Sequence, residues 1–295
     1  MAMTMTAPVS SALSSALRRL REQFQPAERL PHDPLGVVRT WPHEEREVVA
    51  HIAGLLAYGS VVQIRRAIER ILVALGPSPT ATLMQWQAGD FLQKDRAFVY
   101  RMTRAADVDA LLTALARLLQ RFGTLHAAFL SCDDPSSPDI VVALTRYVAM
   151  IRAEFPSDVG RGARYLTPDP ATGSASKRWF LLLRWLVRPD DGADLGCWPG
   201  IGPERLLIPL DTHTARLSLW LGLTKRQTVG LRMSREVTAA LKQIDAHDPM
   251  SFDMPLCHLG IARDCLHRFE FAVCSRCTLA GLCVFSASQM SPFPS

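Results

Sequence analysis

At 295 residues and 48% hydrophobic, the chain can bury the core of one large domain or of two lobes. No apolar run reaches the ~18 residues needed to cross a bilayer, and the first residues lack the basic start and apolar stretch of a secretory signal. A soluble, cytoplasmic protein is therefore expected, and its net charge of +5 favours a polyanionic partner.

Apolar residues recur at helical spacing along most of the chain and two-residue alternation is scarce, so the expected fold class is all-α. An amphipathic helix is predicted at 9–24, then a Pro-rich loop at 31–42. The segment 43–59 carries acids in its first turn, as the helix dipole prefers, and 60–75 has a serine start, helical spacing and a basic outer face. Helices are predicted at about 80–88, 105–122, 124–131 and 138–154. A Gly/Pro/Ser-rich loop, 155–176, runs into the apolar segment SKRWFLLLRWLVR (176–188), read as a helix. After an irregular stretch come helices at about 212–221, 234–245 with Ser234 as cap, and 253–268 with Asp253 as cap. The expected division is a helical lobe over 44–206, and a second lobe of 1–43 plus 207–295 that carries a cysteine cluster.

That cluster is Cys265, Cys274, Cys277 and Cys283, spaced C-x8-C-x2-C-x5-C. Four thiolates so spaced suit tetrahedral zinc or a cubane iron–sulfur centre, and spacing alone does not choose between them. Cys257, His258 and His267 lie nearby and read as core or surface residues. Only four of the 33 basic residues are lysines: Lys94, Lys177, Lys225 and Lys242. Lys177 alone abuts a long apolar helix, and it reads as an amine nucleophile with an acidic partner or as a surface lysine. Thirty-four positions later, Asp211 opens the helix of LIPLDTHTARL, as a cap or as an acid for catalysis.

The segment GIARDCLHRFEFAVCSRCTLAGLC resembles the C-terminal iron–sulfur loop of endonuclease III and of MutY-type glycosylases, with its first gap two residues longer. This resemblance implies a [4Fe–4S] cluster, with zinc as the alternative. PLDTHTARLSLWLGL resembles the segment of the helix-hairpin-helix DNA glycosylases that supplies their essential aspartate, which implies that role for Asp211. The stretch WPGIGPERL (198–206) looks like their hairpin, and Gly200 and Gly202 would offer amides to a phosphate. The placement of Lys177 resembles that in archaeal 8-oxoguanine glycosylases, where a lysine begins an apolar helix some thirty residues before the aspartate. The chain is also similar to a bacterial family of unassigned substrate sharing S-x-x-K-R, L-R-W-x-V-R, D-L-G and P-L-D-T-H, with Ser176 where that family usually shows cysteine.

The resemblance implies a base-excision DNA glycosylase, with AP-lyase activity if Lys177 is the nucleophile. It would act as a monomer on DNA at the nucleoid. A non-catalytic, lesion-sensing DNA-binding protein is the alternative. Tyr58 stands where these enzymes carry a gap-filling glutamine and reads equally as a packed tyrosine. Gln63 is a phosphate contact or part of a solvated face, Trp198 a base-stacking wall or a core residue. His213 is a DNA contact or a backbone partner at the helix start.

Overall fold

The computed structural model describes residues 8–261, 265–266 and 268–287, and these are mostly helical. Its principal helices are α1 (Ser11–Gln23), α2 (Arg46–Leu55), α3 (Val61–Leu75), α4 (Ala105–Phe122), α5 (Val141–Ala153), α6 (Lys177–Val187), α7 (Thr212–Trp220), α8 (Leu231–Lys242) and α9 (Asp253–Ile261). Among the described residues, strand is confined to one antiparallel ribbon, β1 (Val99–Tyr100) with β2 (Thr103–Arg104). Alternation in so short a piece is invisible in the sequence, and the ribbon is a small addition to the expected all-α class. No helix among the described residues is long and apolar enough to cross a membrane.

The chain divides into two compact units, Met1–Pro26 with Gly202–Ser295 and Ala27–Ile201. The expected boundaries move at both edges. Residues 27–43 belong to the middle unit, because the stretch read as a Pro-rich loop contains a helix, Leu35–Arg39, that packs on α2. Asp33 Oδ1 accepts the Leu35 amide at 2.8 Å and Pro34 precedes it, which together start that helix. The second boundary falls inside the irregular hairpin, between Ile201 and Gly202.

In the middle unit α6 packs along α2. Its Trp179, Phe180, Leu182, Leu183, Trp185 and Leu186 are buried, each such side chain contributing about 1.5–3 kcal/mol. Gly54 permits the close approach, since a Cβ there would lie 3.1 Å from Leu182 Cβ. The long loop before α6 is itself structured by a helix at Arg161–Leu166. Buried Asp107 organises this region, accepting the Arg104 amide at 2.8 Å and the Ala163 amide at 2.9 Å.

In the other unit, Ser10 caps α1, which buries Leu13, Ala16, Leu17 and Leu20 at helical spacing. The extended segment before α7 is fixed by α8. Thr238 Oγ1 accepts the Ile208 amide at 3.0 Å, and Ser234 Oγ donates to the Ile208 carbonyl at 2.7 Å. Ser234 is thus an internal anchor of a helix that begins three residues earlier, and the cap reading is corrected. Asp253 is the first residue of α9, and the rest of the helix predicted to 268 enters residues 262–264 and 267, outside those described. His267 lies there too.

Candidate functional site

The unit formed by the two ends of the chain holds the aspartate and the cysteines. Asp211 is extended backbone at the head of α7, and its Oδ1 accepts the Thr214 amide at 2.8 Å. Its Oδ2 accepts the Cys257 thiol at 3.2 Å, from α9. Asp211 is therefore both a cap and a half-buried carboxylate with each oxygen held. His213 rests on α9, since a Cβ on Gly260 would lie 2.5 Å from its Nδ1.

The far ends of α7 and α9 wall a small apolar cavity. Leu217, Trp220 and Leu259 line one side, and Cys265, Cys274, Cys277 and Cys283 all reach it from the tail. Its open interior is about 30 Å³. Trp220 stacks edge-on against Phe285 at 4.7 Å and ties the tail to α7. The Glu270 amide donates to Cys274 Sγ at 3.5 Å and the Leu279 amide to Cys277 Sγ at 3.4 Å, contacts that stabilise thiolate sulfur. Burial pushes the Cys277 thiol up, and the neighbouring Cys265, Cys283 and Cys274 push it the same way. Among the described residues no disulfide joins any of the seven cysteines. Among the described residues no group of three or more His, Cys, Asp or Glu side chains is drawn onto a common metal point. The donor set, four thiols with amide donors in an apolar enclosure, fits a thiolate-bound metal centre.

The middle unit holds Lys177. It is half-buried and is the first residue of α6, directly after Ser176. Ser176 is 2% exposed and sits in the left-handed region at φ 43°. The next residue, Arg178, has a role the sequence did not reveal. Its guanidinium donates to the carbonyls of Leu55, at 2.8 Å, and Tyr165, and lies 5.0 Å from the Tyr58 ring and 4.5 Å from the Tyr165 ring. Tyr100 packs 4.9 Å from Tyr58, and its hydroxyl donates to the Tyr58 carbonyl. Three of the chain's four tyrosines thus gather around the residue that follows Lys177. Burial raises the Tyr58 phenol above its usual value and pushes Tyr100 up to about 12, so both are neutral donors at physiological pH. The sequence offered only the rarity of tyrosine as a signal for this cluster.

The remaining candidates separate. Trp198 is 1% exposed, donates to Glu47 Oε1 at 2.8 Å and packs among His51, His126, Phe129 and Tyr147. It is a core residue, and its reading as a base-stacking wall is corrected. Gln63 is exposed on the outer face of α3. Gly200 takes φ +85° in an exposed turn of the middle unit, whereas Gly202 opens the short turn Pro203–Arg205 of the other unit. A surface groove of about 810 Å³ beside α3, lined by Arg66, Arg70 and Asp95 among others, contains none of the candidates.

A family model described as "Protein of unknown function (DUF2400)" matches residues 33–262. The chain belongs to that family. No curated protein and no solved structure matches the chain. The DUF2400 match takes in Tyr58, Lys177, Arg178, Asp211 and Cys257, and it stops just short of the four cysteines.

Proposed function

We propose that the chain is a base-excision DNA glycosylase with AP-lyase activity, acting on an oxidised or otherwise modified base flipped out of the stack. The observation that carries this reading is the α7–α9 pair. One end presents a carboxylate with both oxygens held, and the other walls the cavity shared by four cysteines. In this reading Lys177 Nζ attacks C1′ of the flipped nucleotide, and the N-glycosidic bond breaks with its electron pair leaving on the base, which takes up a proton. The attacking amine gives up its proton to water, and the part assigned to Asp211 is to stabilise the positive charge that develops at C1′. Ring opening gives a Schiff base between Lys177 and the sugar. Loss of a C2′ proton then breaks the C3′–oxygen bond and nicks the strand, and water releases the lysine.

Cys265, Cys274, Cys277 and Cys283 would hold a [4Fe–4S] cluster, whose contribution when bound is to tie the loop 265–283 into a DNA-facing shape. Two measurements test the proposal. Borohydride reduction on a panel of lesion duplexes should trap a covalent adduct with wild type that is absent with Lys177→Gln. No base release and no adduct from any lesion would end the enzymatic reading and leave a DNA-binding protein. Anaerobically purified protein should contain about four irons per chain, reduced in Cys277→Ser. One zinc and no iron would replace the cluster by a zinc site.

A further inference from the structure

The β1–β2 ribbon has no part in the chemistry above, yet its tip is built at odds with ordinary turn preferences. A two-residue connection, Arg101–Met102, joins the strands, with Tyr100 opposite Thr103 and Val99 opposite Arg104. Arg101 takes φ +53°, at the first central position of the turn, where glycine is the usual occupant. An arginine persists in that conformation only where its surroundings over-determine it.

The surroundings do so. Tyr100 and Thr103 are buried, 5% and 0% exposed, and both are fastened to Tyr58. The Tyr100 hydroxyl donates to the Tyr58 carbonyl, and the Tyr58 and Thr103 hydroxyls bond at 2.6 Å. Gly59 leaves room for the tip, since a Cβ there would meet the Tyr100 hydroxyl at 2.9 Å and Arg101 Nη1 at 3.2 Å. From the other side Asp107 clamps the end of β2. A rigid base therefore carries an exposed tip, where Met102 is 54% and Val99 59% exposed. Arg101 is exposed, and among the described residues it forms no hydrogen bond or ion pair.

A stiff projection that combines a flexible apolar side chain with a bare cation suits a nucleic-acid wedge. Apolar side chains of this kind enter between base steps, and cations beside them meet phosphates. We propose that the Arg101–Met102 tip is the DNA wedge of this protein. Met102 enters the base stack beside the extruded nucleotide, and Arg101 contacts a flanking phosphate. The proposal rests on the DNA reading above and not on Lys177 or Asp211.

The test uses the full chain and a duplex holding a tetrahydrofuran abasic analogue beside 2-aminopurine. Arg101→Asn keeps a residue that tolerates the left-handed region and removes the charge. It should lower the slope of log affinity against log salt by about 1. Met102→Ala should lose the rise in 2-aminopurine fluorescence that wild type produces on binding. Melting temperatures of both variants should match wild type, because both positions are exposed. Wild-type slope and fluorescence in both variants would overturn the wedge while leaving DNA binding intact. Failure of wild type to bind the duplex would overturn the wedge and the DNA reading together. Altered variants on a duplex from which no base is released would support the wedge and end only the glycosylase.

Discussion

Asp194→Ala is expected to lower unfolding stability by about 3–5 kcal/mol. Asp194 is 0% exposed and lies in the irregular segment after α6. Its Oδ1 accepts Arg184 Nε at 3.2 Å, and its Oδ2 accepts Arg188 Nη1. The two arginines are themselves buried, 2% and 8% exposed. Alanine would leave both guanidinium groups in the interior without that counter-charge, and the loss of one partner of a buried ion cluster is what makes such substitutions severe. Arg188 also reaches Asp191 at 3.0 Å, so part of its compensation survives. Asp194→Asn keeps the shape and one acceptor and should fall between wild type and alanine. Urea unfolding followed by circular dichroism would show the midpoint moving down with the slope unchanged. Near-wild-type stability in Asp194→Ala would mean that the cluster is no better than neutral. The same network pins the return of the chain onto α6, where the Leu195 amide donates to the Trp185 carbonyl at 2.7 Å and the Trp198 amide to that of Leu186 at 2.8 Å. Emission from buried tryptophan should therefore shift to the red in Asp194→Ala.

This network shows where the sequence was legible and where it was not. Local signals read well. The apolar spacing of α3 puts Ile64, Ala67, Ile68, Ile71, Leu72 and Leu75 on its buried face, and the aspartate before Thr-His-Thr caps α7. The short-range spacing of Cys274 and Cys277 brings both thiols to one cavity. What escaped depends on partners far along the chain or on residues used against type. Arg184, Arg188 and the D-L-G aspartate looked like separate motif fragments, and only the turn after α6 makes them one buried cluster. Ser234 looked like a cap because its real partner, Ile208, is supplied 26 residues earlier. The ribbon carried no turn signal because arginine occupies the position that glycine or asparagine would have marked. The tyrosines around Arg178 come from three separate segments, so no window of sequence contains their cluster.

Asp211→Asn separates the two roles this residue fills. Asparagine caps a helix as well as aspartate does, and its amide oxygen can accept the Thr214 amide that Oδ1 now accepts at 2.8 Å. Thermal stability should therefore stay close to wild type. Single-turnover base release from the lesion duplex that wild type processes should fall by about a thousandfold, since a neutral amide does not stabilise positive charge at C1′. Asp211→Ala should lose both properties. It removes the cap, at about 1 kcal/mol, and takes the acceptor at 3.2 Å from the Cys257 thiol. The contrast between the two variants carries the inference. Stability lost only in alanine, with rate lost in both, assigns the charge to chemistry and the hydrogen bonds to the fold. A wild-type rate in Asp211→Asn would reduce Asp211 to a cap, and the α7–α9 pair would then carry the cysteine loop alone.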